Sequence, residues 1–412
     1  EDHVDVLGPC GVDGGDRRGL LLEPVDPLFG LHDRQGFLFA EKGQSRDGAA
    51  VVLDPRSGEI LSLVSLPAYD PNAFAMGIDS DTWSSLIQDG RRPLNNRALQ
   101  NLYPPGSIFK IAMAVAALEE GIVSADFTVR CAGGGTFYDS WRNCHSTHGT
   151  VDLREALEKS CNTYFYTLGE MMEIDQIHKW ATALGLGELS GIDLPYEVQG
   201  LVPSTAWKRE ARGEPWYPGE TISVAIGQGQ VTVTPLSLAV MMATVANGGT
   251  RVTPHLLKAV NDGDGWTQAQ PPGPRSQVHL SPETLSAVTD GLWNVVNRAG
   301  TGGRGRIEGR DVIGKTGTAQ VISLDGRAAL GESNPEYFDH GWFVFAAPAH
   351  APEIAGVVFG EHNEHASLSA TIAKHVMETY FAKQKGRPLP VLPLPATPQE
   401  VPLVSVVAGT GN

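Results

Sequence analysis

The sequence has few basic residues for its length, and it has no long hydrophobic run. Its 412 residues contain 31 Lys and Arg against 47 Asp and Glu, which gives a formal net charge of −16. Proteins that bind nucleic acid neutralise phosphates with Lys and Arg, so this balance argues against that class of function. The longest apolar run near the middle of the chain, IAMAVAAL at 111–118, is too short to span a bilayer.

Cysteine is also scarce, with four residues in the whole chain. Three of them, Cys131, Cys144 and Cys161, are clustered in the sequence, whereas Cys10 stands apart. An even number permits disulfides, but such a cluster is also typical of metal binding. The remaining composition, 41% apolar and 19% charged, is ordinary for a globular protein that buries a sizeable core.

The order of the predicted elements indicates an α/β (α+β) fold in which helices flank a mostly antiparallel sheet on both faces. Residues 48–67 contain two apolar runs around the turn DPRSG and predict a hairpin. Three strand-like runs follow late in the chain: DVIGKTGTAQVI, HGWFVFAAPA and EIAGVVFGEH. A sheet assembled from both chain ends accounts for this order. Helices are predicted at 103–121, 150–160, 281–297 and 367–383.

Composition divides the chain into three segments. Residues 1–45 are rich in Gly, Asp and Pro without a sustained period, and we interpret them as an N-terminal extension, the remnant of a preceding domain. Residues 46–383 carry the predicted elements and the motifs described below, and they form one large domain. Residues 384–412 are rich in proline, which predicts an extended or disordered tail.

The stretch Ser107-Ile-Phe-Lys110 opens a predicted helix whose interior is apolar on nearly every face. Residues at i and i+3 share a helix face, so the Lys110 amine can reach the Ser107 hydroxyl. Serine is a weak nucleophile until a base removes its proton, and a buried lysine of lowered pKa can be that base. Free N–H groups at the helix start can also stabilise an oxyanion. A helix start with a solvated lysine is the alternative explanation.

A second candidate site is Lys315-Thr316-Gly317-Thr318, at the end of a strand-like run. A strand edge with a lysine and two hydroxyls can hold a carboxylate, and Gly317 leaves room for a substrate backbone beside it. The overlapping stretch GRDVIGKT also fits the phosphate-loop pattern G-x-x-x-x-G-K-[ST]. That loop must be followed by a helix, whereas this sequence continues as a strand, so we do not expect nucleotide binding.

The third candidate is Ser160-x-Asn162 in the stretch EKSCNTYF. If this segment is extended, Ser160 and Asn162 point one way and Cys161 points the other, into the protein body. The patterns Ser-x-x-Lys, Ser-x-Asn and Lys-Thr-Gly each occur once in the chain, in that order. Together they are the motif set of penicillin-recognising serine enzymes.

With these motifs the chain resembles the transpeptidase domain of class B penicillin-binding proteins, most of all the elongation type, penicillin-binding protein 2. The similarity runs from about Gly48 to Lys383 and includes GAAVVLDPRSGEIL, NRALQNLYPPGSIFK, GEPWYPGETISVAIGQG and VANGG. It implies the fold of that family and a peptidoglycan DD-transpeptidase that β-lactams inactivate. It also implies an extracytoplasmic protein, anchored in the membrane by an N-terminal segment absent from this chain, that works with a glycosyltransferase of the elongation machinery.

The resemblance implies a role for each motif residue. Ser107 would attack the penultimate D-Ala carbonyl of a stem peptide, with Lys110 as the base. Ser160 would relay a proton to the leaving amine, and Asn162 would orient this network. The 315–318 stretch would hold the terminal carboxylate, and backbone N–H groups at positions 107 and 318 would form the oxyanion hole.

Other enzymes and receptors carry the same three motifs. A DD-carboxypeptidase, a β-lactamase and a β-lactam sensor are the alternative functions. A β-lactamase must activate water against the acyl-enzyme, and the sequence has no clear Glu-x-x-Leu-Asn segment for that step. A catalytically silent structural protein is disfavoured because all three motifs are intact.

The cysteine cluster has the spacing Cys131-x12-Cys144-x3-His148-x12-Cys161. Three thiolates and an imidazole make a closed, tetrahedral zinc site of the structural kind. The resemblance agrees, because some elongation-type penicillin-binding proteins bind zinc in this region, with His145 or Asp139 as alternatives to Cys144. A disulfide is a second interpretation, since disulfides persist outside the cytoplasm, and three buried thiols are a third. We expect no cofactor to be needed for the catalytic steps.

Overall fold

The computed structural model describes residues 19–22, 47–75, 77–261, 263, 265–321, 335–363 and 366–391. The strands are β1 (Gly19–Leu22), β2 (Gly48–Leu53), β3 (Ile60–Leu66), β4 (Val129–Cys131), β5 (Gly134–Phe137), β6 (Ser140–Asn143), β7 (Gly149–Val151), β8 (Thr250–Arg251), β9 (Leu257–Asn261), β10 (Trp266–Gln268), β11 (Ser276–Gln277), β12 (Ile313–Ala319), β13 (His340–Ala347) and β14 (Ile354–Gly360). The helices are α1 (Asn72–Ala75), α2 (Ser80–Gln88), α3 (Lys110–Glu119), α4 (Leu153–Glu158), α5 (Asn162–Met171), α6 (Ile174–Ala183), α7 (Thr205–Arg212), α8 (Pro218–Val224), α9 (Pro235–Ala246), α10 (Pro282–Asn297) and α11 (Ala366–Gln384).

The central sheet has five antiparallel strands in the order β12-β13-β14-β2-β3. Gly48 lies opposite Gly360, so the predicted N-terminal hairpin joins the three predicted C-terminal strands in one sheet. This confirms the α/β fold with a mostly antiparallel sheet. Strand β12, which carries the Lys-Thr-Gly motif, lies at one edge of the sheet.

Helices cover both faces of this sheet, which explains why its inner strands β2, β13 and β14 are largely apolar rather than alternating. Val51 packs into a core that includes α3 and α9, whereas its neighbour Val52 packs into a second core that includes α11. Every residue of β13 and of β14 is buried. A strand with packing on both faces favours a continuous apolar run, and the sequence has such runs in HGWFVFAA and IAGVVFG.

Helix α3 confirms the predicted buried helix but begins later than expected. Residues Gly106–Phe109 form a 3-10 turn, and the α-helix starts at Lys110. Every residue from Lys110 to Ala117 is buried, so the helix runs through the centre of the first core.

Side-chain caps fix two other predicted helices. The Asp152 carboxylate accepts a hydrogen bond from the Glu155 backbone N–H at 2.8 Å before α4, and the Ser281 hydroxyl accepts one from Thr284 N–H at 3.1 Å before α10. Between α3 and α4 the chain forms two short strand pairs, β4 with β7 and β5 with β6, which the sequence pattern did not predict. Cys131 lies on β4, Cys144 directly follows β6 and His148 directly precedes β7.

The predicted end segments are described only in part. Four residues of 1–45 form β1, whose backbone pairs with β9 so that Leu20 lies opposite Val260. The predicted tail is described as far as residue 391, and Cys10 lies outside the described residues. The division into three segments therefore stays a prediction. No helix in the described ranges is both long and apolar enough to cross a membrane.

Candidate active site

Ser107 lies in the 3-10 turn that leads into α3. The fully buried side chains of Ile108 and Phe109 anchor this turn, and Trp342 Nε1 of β13 donates to Pro104 O at 3.1 Å just before it. Ser107 itself is half-buried, and among the described residues its Oγ has no hydrogen-bond partner. The hydroxyl is therefore held on a rigid turn and left available.

Lys110 is fully buried, and its Nζ points at the second motif rather than at Ser107. It donates to Asn162 Oδ1 at 2.6 Å, to Ser160 O at 2.8 Å and to Ser160 Oγ at 3.2 Å. Burial lowers the pKa of Lys110 to about 7, against the opposing effect of the Cys144 and Cys161 thiolates. A large fraction of Lys110 is therefore neutral near neutral pH, which is the state that a base requires.

The Ser160 hydroxyl lies between two lysine amines. Lys315 Nζ, also fully buried, donates to Ser160 Oγ at 3.0 Å and to Thr316 O at 3.1 Å. Burial, and the neighbouring charge of Lys110, lower the pKa of Lys315. When both amines donate, the two lone pairs of Ser160 Oγ are used, so its own proton must point towards a third group.

The segment that presents Ser160 does not have the extended conformation that was considered for it from the sequence. Ser160 has φ +52°, and it follows α4 as the left-handed residue of a Schellman motif: its N–H donates to Leu157 O and the Cys161 N–H donates to Ala156 O. Cys161 is then the N-cap residue of α5, and Asn162 opens that helix. The predicted placement still results, because Ser160 and Asn162 both contact Lys110 while Cys161 is completely buried.

Two glycines allow three chain segments to meet at Ser107. A Cβ at Gly106 would lie 2.4 Å from Thr318 O, and one at Gly227 would lie 2.1 Å from Gly106 O. The Gly106 N–H also donates to Gly227 O at 2.9 Å. The Gly106–Phe109 turn, strand β12 and the 226–229 loop are thus in backbone contact. Neither glycine was predicted from the sequence to have a role, although the stretch GQGQ is typical of a turn.

The Lys-Thr-Gly motif lies within the edge strand β12. A Cβ at Gly317 would lie 2.7 Å from Ile108 Cγ1, so this glycine makes room for the turn that carries Ser107. From the sequence, Gly317 was expected to make room for a substrate backbone instead. Thr316 is largely buried, and Thr318 is exposed. The strand runs through GKTGT, and within the described residues 313–321 no helix begins at the Lys-Thr pair, which rules out the phosphate-loop geometry there.

The cysteine cluster assembles behind the Ser160 segment. The ligand atoms of Cys131, Cys144, His148 and Cys161 all lie within 4.8 Å of one another. His148 Nδ1 is 3.6 Å from Cys131 Sγ and 3.5 Å from Cys144 Sγ. A tetrahedral zinc ion with ordinary bond lengths would place sulfur and nitrogen about 3.6 Å apart, so the spacing fits this metal.

The electrostatics of the cluster favour the metal-binding form at two of its four ligands. The hydrogen bond between Cys144 and Cys161 lowers the pKa of the Cys144 thiol and raises that of the Cys161 thiol, and burial lowers the pKa of His148. Thiolate and neutral imidazole are the forms that bind zinc. The three cysteines are free thiols rather than disulfide partners, and the set contains Cys144 rather than its alternatives His145 and Asp139.

The chain matches the family model of the penicillin binding protein transpeptidase domain over residues 48–378. It is 41% identical to the peptidoglycan D,D-transpeptidase MrdA of Acinetobacter baumannii over 84% of this chain and 52% of that protein. It is 33% identical to MrdA of Escherichia coli K12 over 83% of this chain and 55% of that protein. The chain thus spans about half the length of these curated relatives.

Solved structures give the same result for the fold. Pseudomonas aeruginosa PBP2 in complex with WCK 5153 is 35% identical, with a TM-score of 0.76 over 88% of this chain and 76% of that one. The PBP2 of a complex with MreC from Helicobacter pylori is 27% identical, with a TM-score of 0.74 over 87% of this chain and 63% of that one. On its sequence, its motifs and its fold, the chain belongs to the family of penicillin-binding protein transpeptidase domains.

Proposed function

We propose that this chain is the catalytic part of a peptidoglycan DD-transpeptidase that cross-links stem peptides during cell-wall elongation. The observation that carries the proposal is the buried network in which Lys110 and Lys315 both donate to Ser160 Oγ, next to the available hydroxyl of Ser107. Relatives named peptidoglycan D,D-transpeptidase and 41% or 33% identical to the chain support the same activity.

Acylation begins when neutral Lys110 removes the Ser107 proton. Ser107 Oγ forms a bond to the carbonyl carbon of the penultimate D-Ala, and backbone N–H groups of Ser107 and Thr318 stabilise the oxyanion. The terminal carboxylate lies along the outer edge of β12 and is held by Lys315, Thr316 and Thr318, with Gly317 keeping the strand close to the nucleophile turn. The carbon–nitrogen bond then breaks, and the proton taken by Lys110 reaches the leaving D-Ala amine through Ser160.

Deacylation reverses these roles with a different amine. The amino group of a neighbouring stem peptide attacks the ester carbonyl and loses a proton, which passes through Ser160 to neutral Lys110. The bond to Ser107 Oγ then breaks, and the serine takes that proton from Lys110. Asn162 Oδ1 holds Lys110 in line for both halves of the reaction, at 2.6 Å. A β-lactam would follow the first half only and leave Ser107 acylated.

The four-residue cluster is proposed to hold one structural zinc ion. Cys131, Cys144, His148 and Cys161 would fill all four positions of a tetrahedral site, so the ion would stabilise the surrounding loops without taking part in the chemistry. Its folding contribution would act on the segment that presents Ser160 and Asn162.

The setting of the enzyme is proposed from its relatives. Penicillin-binding protein A from M. tuberculosis, 28% identical to the chain, is described as a ceftriaxone acyl-enzyme complex, and a H. pylori relative is described in complex with MreC. A further solved structure, 33% identical to the chain, is described as a peptidoglycan synthase complex that coordinates polymerization and crosslinking. We therefore propose β-lactams as ligands, a membrane glycosyltransferase of the elongation machinery as a partner, and the extracytoplasmic face of the membrane as the location.

Labelling with a fluorescent penicillin tests the proposed function. The wild-type chain should form a stable adduct, Ser107→Ala should form none, and Ser85→Ala, at an exposed serine on α2, should label like wild type. Rapid release of the adduct would instead indicate a β-lactamase. Incubation with lipid-linked precursor then separates cross-linking from carboxypeptidase activity, and absence of a Ser107-dependent adduct contradicts the whole proposal.

A further inference from the structure

A pair of threonine hydroxyls lies at the carboxylate end of the site. Thr301 Oγ1 is 2.5 Å from Thr316 Oγ1. In the described part of the chain, Thr316 Oγ1 has no other hydrogen-bond partner than Thr301. Thr316 belongs to the Lys-Thr-Gly motif and is largely buried, whereas Thr301 is exposed in the loop after α10. None of the three motifs includes Thr301.

Thr301 connects two walls of the site. Its backbone N–H donates to Glu158 O at 3.4 Å, just before Ser160, while its hydroxyl contacts Thr316 on β12. The loop is tightly placed, because a Cβ at Gly302 would lie 2.9 Å from Val295 Cγ1 and 3.1 Å from the Phe343 ring. Packing at Gly302 therefore holds the backbone that carries the Thr301 hydroxyl, although Thr301 itself is exposed.

A hydroxyl carries one proton, and this decides what the pair can do. If Thr316 donates to Thr301, it has no proton left for a ligand. If Thr301 donates to Thr316, the Thr316 proton is directed outward, and the two hydroxyls polarise one another towards an anion. A bound carboxylate accepts hydrogen bonds only, so it favours the second arrangement.

We propose that Thr301 is a positioning residue of the carboxylate site: its hydroxyl donates to Thr316 Oγ1 and so turns the Thr316 proton towards the bound carboxylate. This inference rests on the proposed function, since it assumes that the 315–318 stretch receives the carboxylate of a stem peptide or β-lactam. Thr301 is exposed, so the hydrogen bond between the two hydroxyls should contribute little to the stability of the fold. Its effect should instead be on the binding of ligands that carry the carboxylate.

The test compares two probes that differ only at the anion, benzylpenicillin and its methyl ester. For each variant, the second-order rate of acylation is measured with both, and the free-acid to ester ratio is the readout. Thr301→Val should lower this ratio about five- to tenfold with little change in the melting temperature, as expected for one hydrogen bond supporting a charged ligand. Thr301→Ser should restore it, and Thr267→Val, at an exposed threonine on β10, should match wild type.

A double-variant comparison decides whether Thr301 acts through Thr316. Thr316→Val should lower the ratio at least as much as Thr301→Val, and combining the two should cause no further loss. A wild-type ratio in Thr301→Val, or equal slowing with both probes, would overturn the proposal, and a further loss in the double variant would show direct contact with the ligand instead. If wild type forms no Ser107-dependent adduct, the proposed function fails, a result distinct from all of these.

Discussion

The backbone N–H of Asn162 donates a hydrogen bond to Cys144 Sγ at 3.2 Å. The same residue receives the Lys110 amine on its side-chain oxygen at 2.6 Å. Asn162 therefore connects the cysteine cluster to the network of Lys110 and Ser160. Its backbone N–H bonds to the cluster, and its side-chain oxygen bonds to the Lys110 amine. Hydrogen bonds between a metal ligand and a neighbouring group are common around metal sites, and they fix the orientation of the two groups.

Loss of a cluster ligand should therefore lower both metal content and acylation. In Cys144→Ser we expect bound zinc to fall from one ion per chain to below about a tenth, and the melting temperature and the penicillin acylation rate to fall with it. Elemental analysis, thermal unfolding and labelling measure the three effects. Cys10→Ser is the control, because Cys10 is predicted to have no part in the site. A Cys144→Ser protein with wild-type stability and acylation would reduce the cluster to packing.

The acylation rate should depend on pH through Lys110. Its pKa is about 7 in the folded protein, so the rate should fall as the pH drops below about 7, where the amine becomes protonated, and level off above it. Single-turnover acylation by a penicillin from pH 5 to 9 measures this limb. Lys110→Arg should be much slower and should lack the limb, since guanidinium stays charged. A limb of unchanged position in the arginine variant would assign it to another group.

Lys110 should also make stability depend on pH. Its folded-state pKa lies below the ordinary value of 10.5, so the unfolded chain binds more protons between about 7 and 10.5. The contribution of Lys110 to the free energy of unfolding should therefore rise with pH across that window. Denaturant unfolding of wild type and Lys110→Met at several pH values measures it, and equal slopes in the two proteins would contradict the assignment.

The backbone contact between Gly227 and Gly106 should tolerate no side chain. Gly227→Ala places a Cβ 2.1 Å from Gly106 O at φ +70°, so we expect a loss of about 3 kcal/mol or more in unfolding free energy and of most acylation. Gly121→Ala is the matched control, because it has φ +64° with nothing within 4 Å and should lose only about 1–2 kcal/mol. Similar losses in the two variants would mean that the backbone angle, rather than the contact, determines stability.

The left-handed conformation of Ser160 should be measurable as strain. Ser160→Ala and Ser160→Gly both remove the hydroxyl that two lysines contact, so both should acylate poorly. At φ +52°, glycine avoids the strain that alanine keeps, and Ser160→Gly should be the more stable of the two by about 1 kcal/mol. Chemical denaturation of the pair gives this difference directly. If the alanine variant were equally stable, the left-handed position would cost nothing.

Patterns of apolar and turn residues predicted those helices and strands that depend mainly on neighbouring residues. The hairpin β2–β3, the buried helix α3 and the three late strands follow from apolar runs bounded by turn residues, and they lie where those patterns indicated. The family also follows from the sequence, because three rare motifs in a fixed order are far more specific than any one of them. The short strand pairs around the cysteine cluster were missed, since strands of three or four residues are too short to show a period.

Contacts between distant segments were beyond such patterns. The extended conformation considered for 160–162 is not adopted: the structure has the end of one helix and the start of the next, with a serine as the helix-ending residue where glycine is usual. The contact of Gly227 with Gly106 joins residues far apart in the chain, and that of Thr301 with Thr316 joins a loop to a strand 15 positions away. No local propensity records either contact.

The sequence by itself determined the family and the central antiparallel sheet, and it predicted the reactive groups, because apolar periodicity and rare motifs are properties of neighbouring residues. Only the tertiary structure decided how those groups are used. It buried Lys110 so that desolvation brings its pKa to about 7, and it turned that amine to Ser160 and Asn162 rather than to Ser107. Desolvation and hydrogen-bond geometry depend on every segment packed around a site, and so they exist only once the chain has folded.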